Sequence, residues 1–450
     1  MKKKPSHYED TAKVLLMQSD ELKQLKDCFR EDKTYECEID SFLLERGIIV
    51  SSPAEVKCHD DIATIVVPAW EQLVEQADNA IAEDRTIDEL FTKEELRYQS
   101  EQLNAINQEF NAQFQLDKTE VSISVIAGLI SAAVDLFLIG VPEKTFDGLK
   151  SRPLGDFVRE QFKKWFSPEE MQKLEKTPGA KVPYDVPYNT GFTNVEVEGL
   201  WPTMHRLYSL GHDPVLGFIV GVHDILTGQM TTIDKLGHVV VQEVERYAGR
   251  DESTLFAALA KQLLHFRTDV TTSMGLPAPF MSLFNLLQFG NIGEDDQTIA
   301  EIVQGMYYEG YDFVHFCSQS IPVMLTEVIV RLCYFAKRIK EGHHVRESIP
   351  FSLNREKHPK LATMLFVSHS TATAIDVGKV YFTKNPMEIN YPQMLAFSFY
   401  AISQLKWDIV TKPELRHKHV VEILQEEIGQ LEERSAQRLE QASDYEIIYL

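Results

Sequence analysis

The chain has 450 residues, 44% of them hydrophobic and 25% charged, a globular composition with ample length for a large buried core. Its formal net charge of -23 repels phosphate backbones and argues against a nucleic-acid partner, and the only concentrated basic run is the start, Met1 to Lys4. Five cysteines, Cys28, Cys37, Cys58, Cys317 and Cys333, are few and odd in number, which fits a reducing compartment better than a disulfide framework.

Residues 1–116 read as an N-terminal helical module. No apolar signal core follows the charged start, so a cytoplasmic location is expected. The run "DIATIVVPAW" reads as a strand or a buried turn ending at Pro68. Thr86 is expected to cap a helix in which Leu96, Leu103, Ile106 and Phe110 recur near helical spacing. Cys58-His59 with Cys28 and Cys37 matches no standard zinc spacing.

Residues 117–177 shift to Gly, Ala, Ser and large aliphatics. Val121 to Val141 is long enough to cross a bilayer, but Asp135 and several serines favour the core helix of a large soluble protein. Residues 178–198, containing "TPGAKVPYDVPYNTGF", break all periodicity and read as a connector. Residues 199–412 form a helical core interrupted by two expected β-hairpins. One is "MTTIDKLGHVVVQEV", turning at Asp234 to Gly237; the other is "KVYFTKNPMEINY", turning at Lys384, Asn385 and Pro386. Residues 413–450 are a Glu/Gln-rich helix with an apolar stripe at Val420, Leu424, Ile428, Leu431 and Leu439, set to dock on the body or to pair with a partner helix. The expected architecture is mainly α, a multi-helix bundle with Gly/Ala/Ser-faced core helices and two small hairpins.

Within "LGHDPVLG", a helix begun at Pro202 is expected to stop at Gly211, with Asp213 as N-cap and Pro214 at the first position of the next helix. His212 is left over, because capping does not require it. In the following helix Gly217 and Gly221 share a face, Asp224 comes three residues later and Gly228 closes it. A glycine inside a helix costs about 1 kcal/mol relative to alanine, so close approach of another group is expected there. The arrangement recurs with Ser124, Gly128, Ser131 or Ala132, Asp135 and Gly140, and again with Ser368, Ala372, Asp376 and Gly378. An aspartate near a helix C-terminus opposes the helix dipole and needs a partner. Either each bonds its own glycine turn, or Asp135, Asp224 and Asp376 form one polar cluster with His212, His223 or His369 nearby.

His205, His212-Asp213 and His223-Asp224, with "VHDILTG" and Asp269 one helical turn beyond His265, resemble the histidine–aspartate metal phosphohydrolases. Those are all-helical and bind metal through a His, a His-Asp pair and a later Asp, so the resemblance implies a divalent metal and hydrolysis. Against it, Asp213 is already used as a cap. No nucleophile elbow, Walker A loop or dinucleotide fingerprint occurs. "SHST" at Ser368 to Thr371 reads as a polar helix face, Glu327 and Arg331 as an intrahelical ion pair, and His343-His344 as part of an exposed loop. "LGHDPVLG" with its downstream hairpin, and "VYFTKNPMEINYPQ", also resemble segments of uncharacterised bacterial proteins over the C-terminal half, a likeness that implies no activity. Two functions are therefore expected. The first is a non-enzymatic bacterial effector, toxin- or defence-like, whose small-residue helices engage a membrane or protein partner on rearrangement. The second is a metal-dependent hydrolase using the His/Asp set.

Overall fold

The computed structural model describes residues 7–45, 65–67, 69–82, 84–145, 148–185, 197–200, 203–244, 254–272, 275–292, 296–441 and 447–449. Cys58, His59 and Pro202 lie outside them, as do residues 186–196 of the expected connector; Cys28 and Cys37 fall in a helix whose side chains there are not described. The chain divides into two units, 1–112 with 412–450, and 113–411.

The first unit contains α1 (His7–Glu45), β1 (Ile65–Val67), α2 (Trp70–Ala80) and most of α3 (Lys93–Phe114). Its core gathers Val14, Leu16, Met17, Ala77 and Ile81. Thr86 does not start the long helix. It precedes a short 3-10 turn, Ile87–Leu90, while Thr92 and Glu95 cap α3 reciprocally, each backbone N–H donating to the other's side chain.

The second unit begins with α4 (Lys118–Val134), which Asp117 caps by accepting from the Glu120 N–H. A π turn, Asp135–Ile139, extends α4 to Gly140. Then come the hairpin β2 (Glu143–Thr145) and β3 (Gly148–Lys150), α5 (Pro153–Trp165), α6 (Pro168–Glu175), α7 (His205–Tyr208) and α8 (Val220–Thr227). The hairpin β4 (Gln229–Ile233) and β5 (Val239–Glu243) follows, antiparallel with Thr231 opposite Val241, in agreement with the first expected hairpin. After it the chain forms α9 (Leu255–Asp269), α10 (Ile299–Tyr308), α11 (Phe313–Lys340), α12 (Val345–Ser348), α13 (Leu361–Thr383) and α14 (Tyr391–Lys406). Back in the first unit, α15 (Lys412–Gln441) carries the C-terminal stripe, and β6 (Ile447–Tyr449) pairs in parallel with β1. The architecture is mainly helical.

The second expected hairpin is absent. Val380, Tyr381 and Phe382 continue the helical turns of α13, which passes Gly378 and stops at Lys384 in a left-handed conformation, φ 57°. Asn385 then accepts from the Met387 N–H to start a 3-10 turn with Pro386 at its head, and Asn390 caps α14. Apolar residues that alternate like a strand are thus helical here, because the cap chemistry of Asn385 and Asn390 punctuates two helices.

Helix α13 packs on α4, α11 and α14. Lys337 of α11 and Lys360 before α13 meet Glu120 near the start of α4, at 2.7 and 3.2 Å. Lys379 near the end of α13 lies 3.2 Å from Asp135 at the end of α4. Helices α4 and α13 therefore run the same way, with α11 opposed. A Cβ on Gly128 would strike the Ser368 carbonyl and lie 2.8 Å from the Thr371 side chain, so a small residue there lets the two backbones touch.

Candidate metal centre

Three pieces of backbone converge beside α8. Residues 181–185, inside the expected connector, bring Tyr184 and Asp185. Helix α7 and the 3-10 turn Leu210–His212 bring His205, Arg206 and His212. Helix α9 brings Gln262, His265 and Asp269, spaced three and four residues apart on one face.

The glycines explain how these pieces come so close. Gly211 is not a left-handed helix stop; a Cβ there would lie 2.6 Å from the Tyr184 ring. A Cβ on Gly217 would lie 2.5 Å from the Gly211 carbonyl and 2.7 Å from Gln262 Nε2, and one on Gly221 2.7 Å from Gln262 Oε1. Gln262 sits at the joint. Its Nε2 donates to the Gly211 carbonyl at 2.8 Å, and its Oε1 accepts from the Tyr184 hydroxyl. Gly228 closes α8 with φ 71°.

The polar groups form a compact, buried set. His205 Nε2 is 3.6 Å from Asp185 Oδ1. His212 Nε2 and His265 Nε2 lie 3.7 and 3.5 Å from Asp269 Oδ2. The rings of His205 and His265 have centroids 5.3 and 5.1 Å from that of His212. Two triads result, Asp185–His205–His212 and His212–His265–Asp269, and the candidate ligand atoms within each are no more than 4.8 Å apart. Arg206 Nε sits 2.9 Å from Asp269 Oδ2, and its guanidinium donates to Thr272 Oγ1. Of the five candidate ligands Asp185 is the most exposed, with 29% of its side chain open to solvent, against 1% for Asp269.

Protonation states follow from the surroundings. The His265 Nδ1 lies 3.1 Å from the Ala180 carbonyl. A carbonyl only accepts, so Nδ1 carries a proton and Nε2 is the nitrogen that faces the cluster. Burial above all, with the neighbouring His265, His205 and Arg206 adding to it, drives the His212 pKa well below its ordinary value, so this ring is neutral. Neither of its nitrogens has a hydrogen-bond partner, although both are buried. Against the upward push of burial, the His205 ring and then His265 hold Asp185 down at about 2, so it is a carboxylate.

Neutral imidazoles and carboxylates are the donors that zinc and related transition metals take. At bond lengths of roughly 2.1 Å, tetrahedral ligand atoms lie about 3.4 Å from one another. The 3.5 and 3.7 Å separations around Asp269 Oδ2 match that spacing closely.

The other expected site residues lie elsewhere. Asp213 accepts from the Val215 and Leu216 N–H groups at 2.9 Å, but the turn it heads becomes the 3-10 turn Leu216–Phe218, which holds Gly217, and α8 starts only at Val220; burial raises the Asp213 pKa to about 6 against these backbone bonds. Asp224 accepts from the backbone and hydroxyl of Thr231, both at 2.8 Å, and so fixes β4 to α8. His223 points outward, 3.6 Å from Asp224 and 62% exposed. The single cluster of Asp135, Asp224 and Asp376 therefore does not form: the side chain of Asp224 is committed to the turn beside it. Asp135 and Asp376 do meet. Lys379 contacts both, at 3.2 and 2.8 Å, and Asn390 donates to both at 2.6 Å. His369 stacks on Tyr400 and lies 3.4 Å from Glu327 Oε1, and Glu327 also holds Arg331 at 2.8 Å.

Sequence reasoning placed His205, His265 and Asp269 among possible ligands but gave no role to Asp185, Tyr184, Arg206 or Gln262. The four-residue step from His265 to Asp269 inside an apolar helix was the available signal. Asp185 had none, because its position depends on a loop with no periodicity. Comparison with protein-family models, curated proteins and solved structures finds no match to this chain.

Proposed function

We propose that the protein is a metal-dependent hydrolase, with its ion held among His212, His265 and Asp269 and with His205 and Asp185 on the solvent side. The observation that carries this reading is His212, a neutral, fully buried imidazole with no hydrogen-bond partner on either nitrogen, beside two groups at metal-ligand spacing. Leaving such a polar atom unpaired costs about 1–3 kcal/mol, and a cation bound at Nε2 would remove that cost for the nitrogen that faces Asp269.

A metal in this position supplies a water molecule acidified to a pKa of roughly 7. The chain's own groups do the rest. The Ala180 carbonyl orients His265, as outer partners of metal-bound histidines do. Arg206, against Asp269, offsets negative charge as it develops on a reacting ester. Asp185, the most exposed candidate ligand, marks the side from which water and substrate arrive. The effector reading draws no support from this cluster.

The test is turnover of simple phosphate esters, p-nitrophenyl phosphate and its bis ester, by protein stripped with a chelator and resupplied with Mn, Fe or Zn. Hydrolysis that returns with metal and is lost in His212→Ala supports the reading. No hydrolysis with any of the three metals, or hydrolysis that survives His212→Ala, overturns it.

A further inference from the structure

We infer that the bundle of α4, α11, α13 and α14 sits in a lipid bilayer, with the outer faces of α4, α11 and α14 against the acyl chains. This goes beyond the proposed hydrolase and does not depend on it.

The observation is the polarity of the outer faces. In a water-soluble bundle the apolar stripe of each helix faces inward and the outer positions are charged. Here the inner positions are mixed: Glu120, Ser124, Ser131 and Asp135 of α4 and Ser368, His369 and Asp376 of α13 are buried beside an apolar cluster of Ala127, Val330, Tyr334, Leu361, Met364, Leu365 and Tyr400. The outer positions are large and apolar. Ile126 and Phe137 on α4 are 53% and 63% exposed, Met324 and Leu332 on α11 64% and 62%, and Phe399 and Ile402 on α14 57% and 68%. Between Val121 and Ile139 there is one charged residue, Asp135, and it points inward.

Length agrees with this occupant. The 17 residues of α4 and the five of its π turn rise about 33 Å, against roughly 30 Å of hydrocarbon. Helix α11, with 28 residues, also has an apolar stretch long enough to cross. Charge collects at the two ends. Lys118, Lys337 and Lys360 lie at the start of α4, and Lys384 lies at the far end of α13. Inside, ionisable groups are paired, Glu327 with Arg331 and Asp135 with Lys379, as low-dielectric surroundings demand. The helices join through small residues and an interhelical bond, Gly128 against the Ser368 carbonyl and the Ser131 hydroxyl donating to the Pro322 carbonyl at 2.9 Å, joints that hold helices together where the hydrophobic effect cannot. A protein partner would meet polar groups around and across its contact. These faces, shared among three helices, offer almost none along their length.

The test is fractionation of cells expressing the full chain, followed by alkaline carbonate extraction of the membranes. The expected result is protein that stays in the carbonate-washed pellet, leaves it only with detergent, and floats with phosphatidylcholine–phosphatidylglycerol vesicles after reconstitution. The double variant Ile126→Glu with Leu332→Glu should lower the retained fraction several-fold, whereas glutamate at water-facing sites would leave fractionation unchanged. Protein found in the detergent-free supernatant, whether as a monomer or with a second copy covering these faces, overturns the inference, as does complete release by carbonate.

Discussion

His265 donates its Nδ1 proton to the carbonyl of Ala180 at 3.1 Å, and that one bond turns its other nitrogen toward Asp269 Oδ2, 3.5 Å away. A backbone group from the segment before Asp185 thus sets the tautomer of a side chain on α9, and a metal needs that tautomer.

Removing His265 should therefore act on metal affinity more than on folding. His265→Gln is expected to weaken binding of an added divalent ion by at least the roughly 10- to 100-fold that losing an outer partner of a metal ligand costs, with a small change in melting temperature. Isothermal titration of chelator-treated protein checks this, and an unchanged affinity would remove His265 from the site.

Gly221 faces Gln262, whose amide is held by Tyr184 and the Gly211 carbonyl. Gly221→Leu forces bulk into that joint and should destabilise by about 1–3 kcal/mol or more. It should also weaken metal binding, because Gln262 positions the turn that carries His212. A wild-type melting curve for this variant would show that α8 and α9 do not approach as closely as described.

Acid should destabilise the metal-free protein through His212. Its pKa in the fold lies well below the ordinary 6.5, so below that pH the unfolded chain takes up a proton that the folded chain refuses. The stability associated with a neutral His212 is present above about 6.5 and is lost as the pH falls. Asp213 acts in the opposite sense. Its pKa is raised from 3.8 to about 6, so its contribution is fullest below 3.8 and is lost as the pH rises through 6. Asp213→Asn, which keeps an oxygen to accept from Val215 and Leu216, should accordingly be neutral or stabilising at pH 7 and lose that advantage near pH 4. Denaturant unfolding of the variant and wild type at both pH values measures the difference.

The aspartates separate into one coupled pair and one independent residue. Asp135→Asn and Asp376→Asn share Lys379 and Asn390, and a double-mutant cycle should depart from additivity by more than about 0.5 kcal/mol. Asp224→Asn with Asp376→Asn should add within that margin, since Asp224 bonds Thr231 alone among side chains that fix β4. Strong coupling in the second cycle would contradict the described placement.

What could be read before the structure divides along the range of the interactions. Local chemistry was legible: Asp213 capping, Gly228 closing α8, the turn at Asp234 to Gly237, and the close approach demanded by Gly217, Gly221 and Gly128. His212 stood out as a residue that capping does not use, and it lies at the middle of the cluster. Long-range placement was not legible. Asp135 and Asp376 meet although α5 to α12 lie between them in the sequence, and Asp185 joins the histidines from a segment with no period. The run after Gly378 was misread because Val380, Tyr381 and Phe382 suit a strand as well as a helix, and packing of α13 decided the matter. Val121 to Val141 is apolar enough for a soluble core or for a bilayer, and about a third of its apolar stretch is buried; hydrophobicity alone does not say which way a face points.

The metal content of the full chain tests the central claim most directly. Protein purified without chelator, or incubated with Mn, Fe and Zn and desalted, should carry about one ion per chain by elemental mass spectrometry. The ion should be lost in His212→Ala and Asp269→Asn and retained in His223→Ala, whose ring points to solvent. Wild-type protein that holds no metal after such incubation, or His212→Ala that holds as much as wild type, would contradict the account.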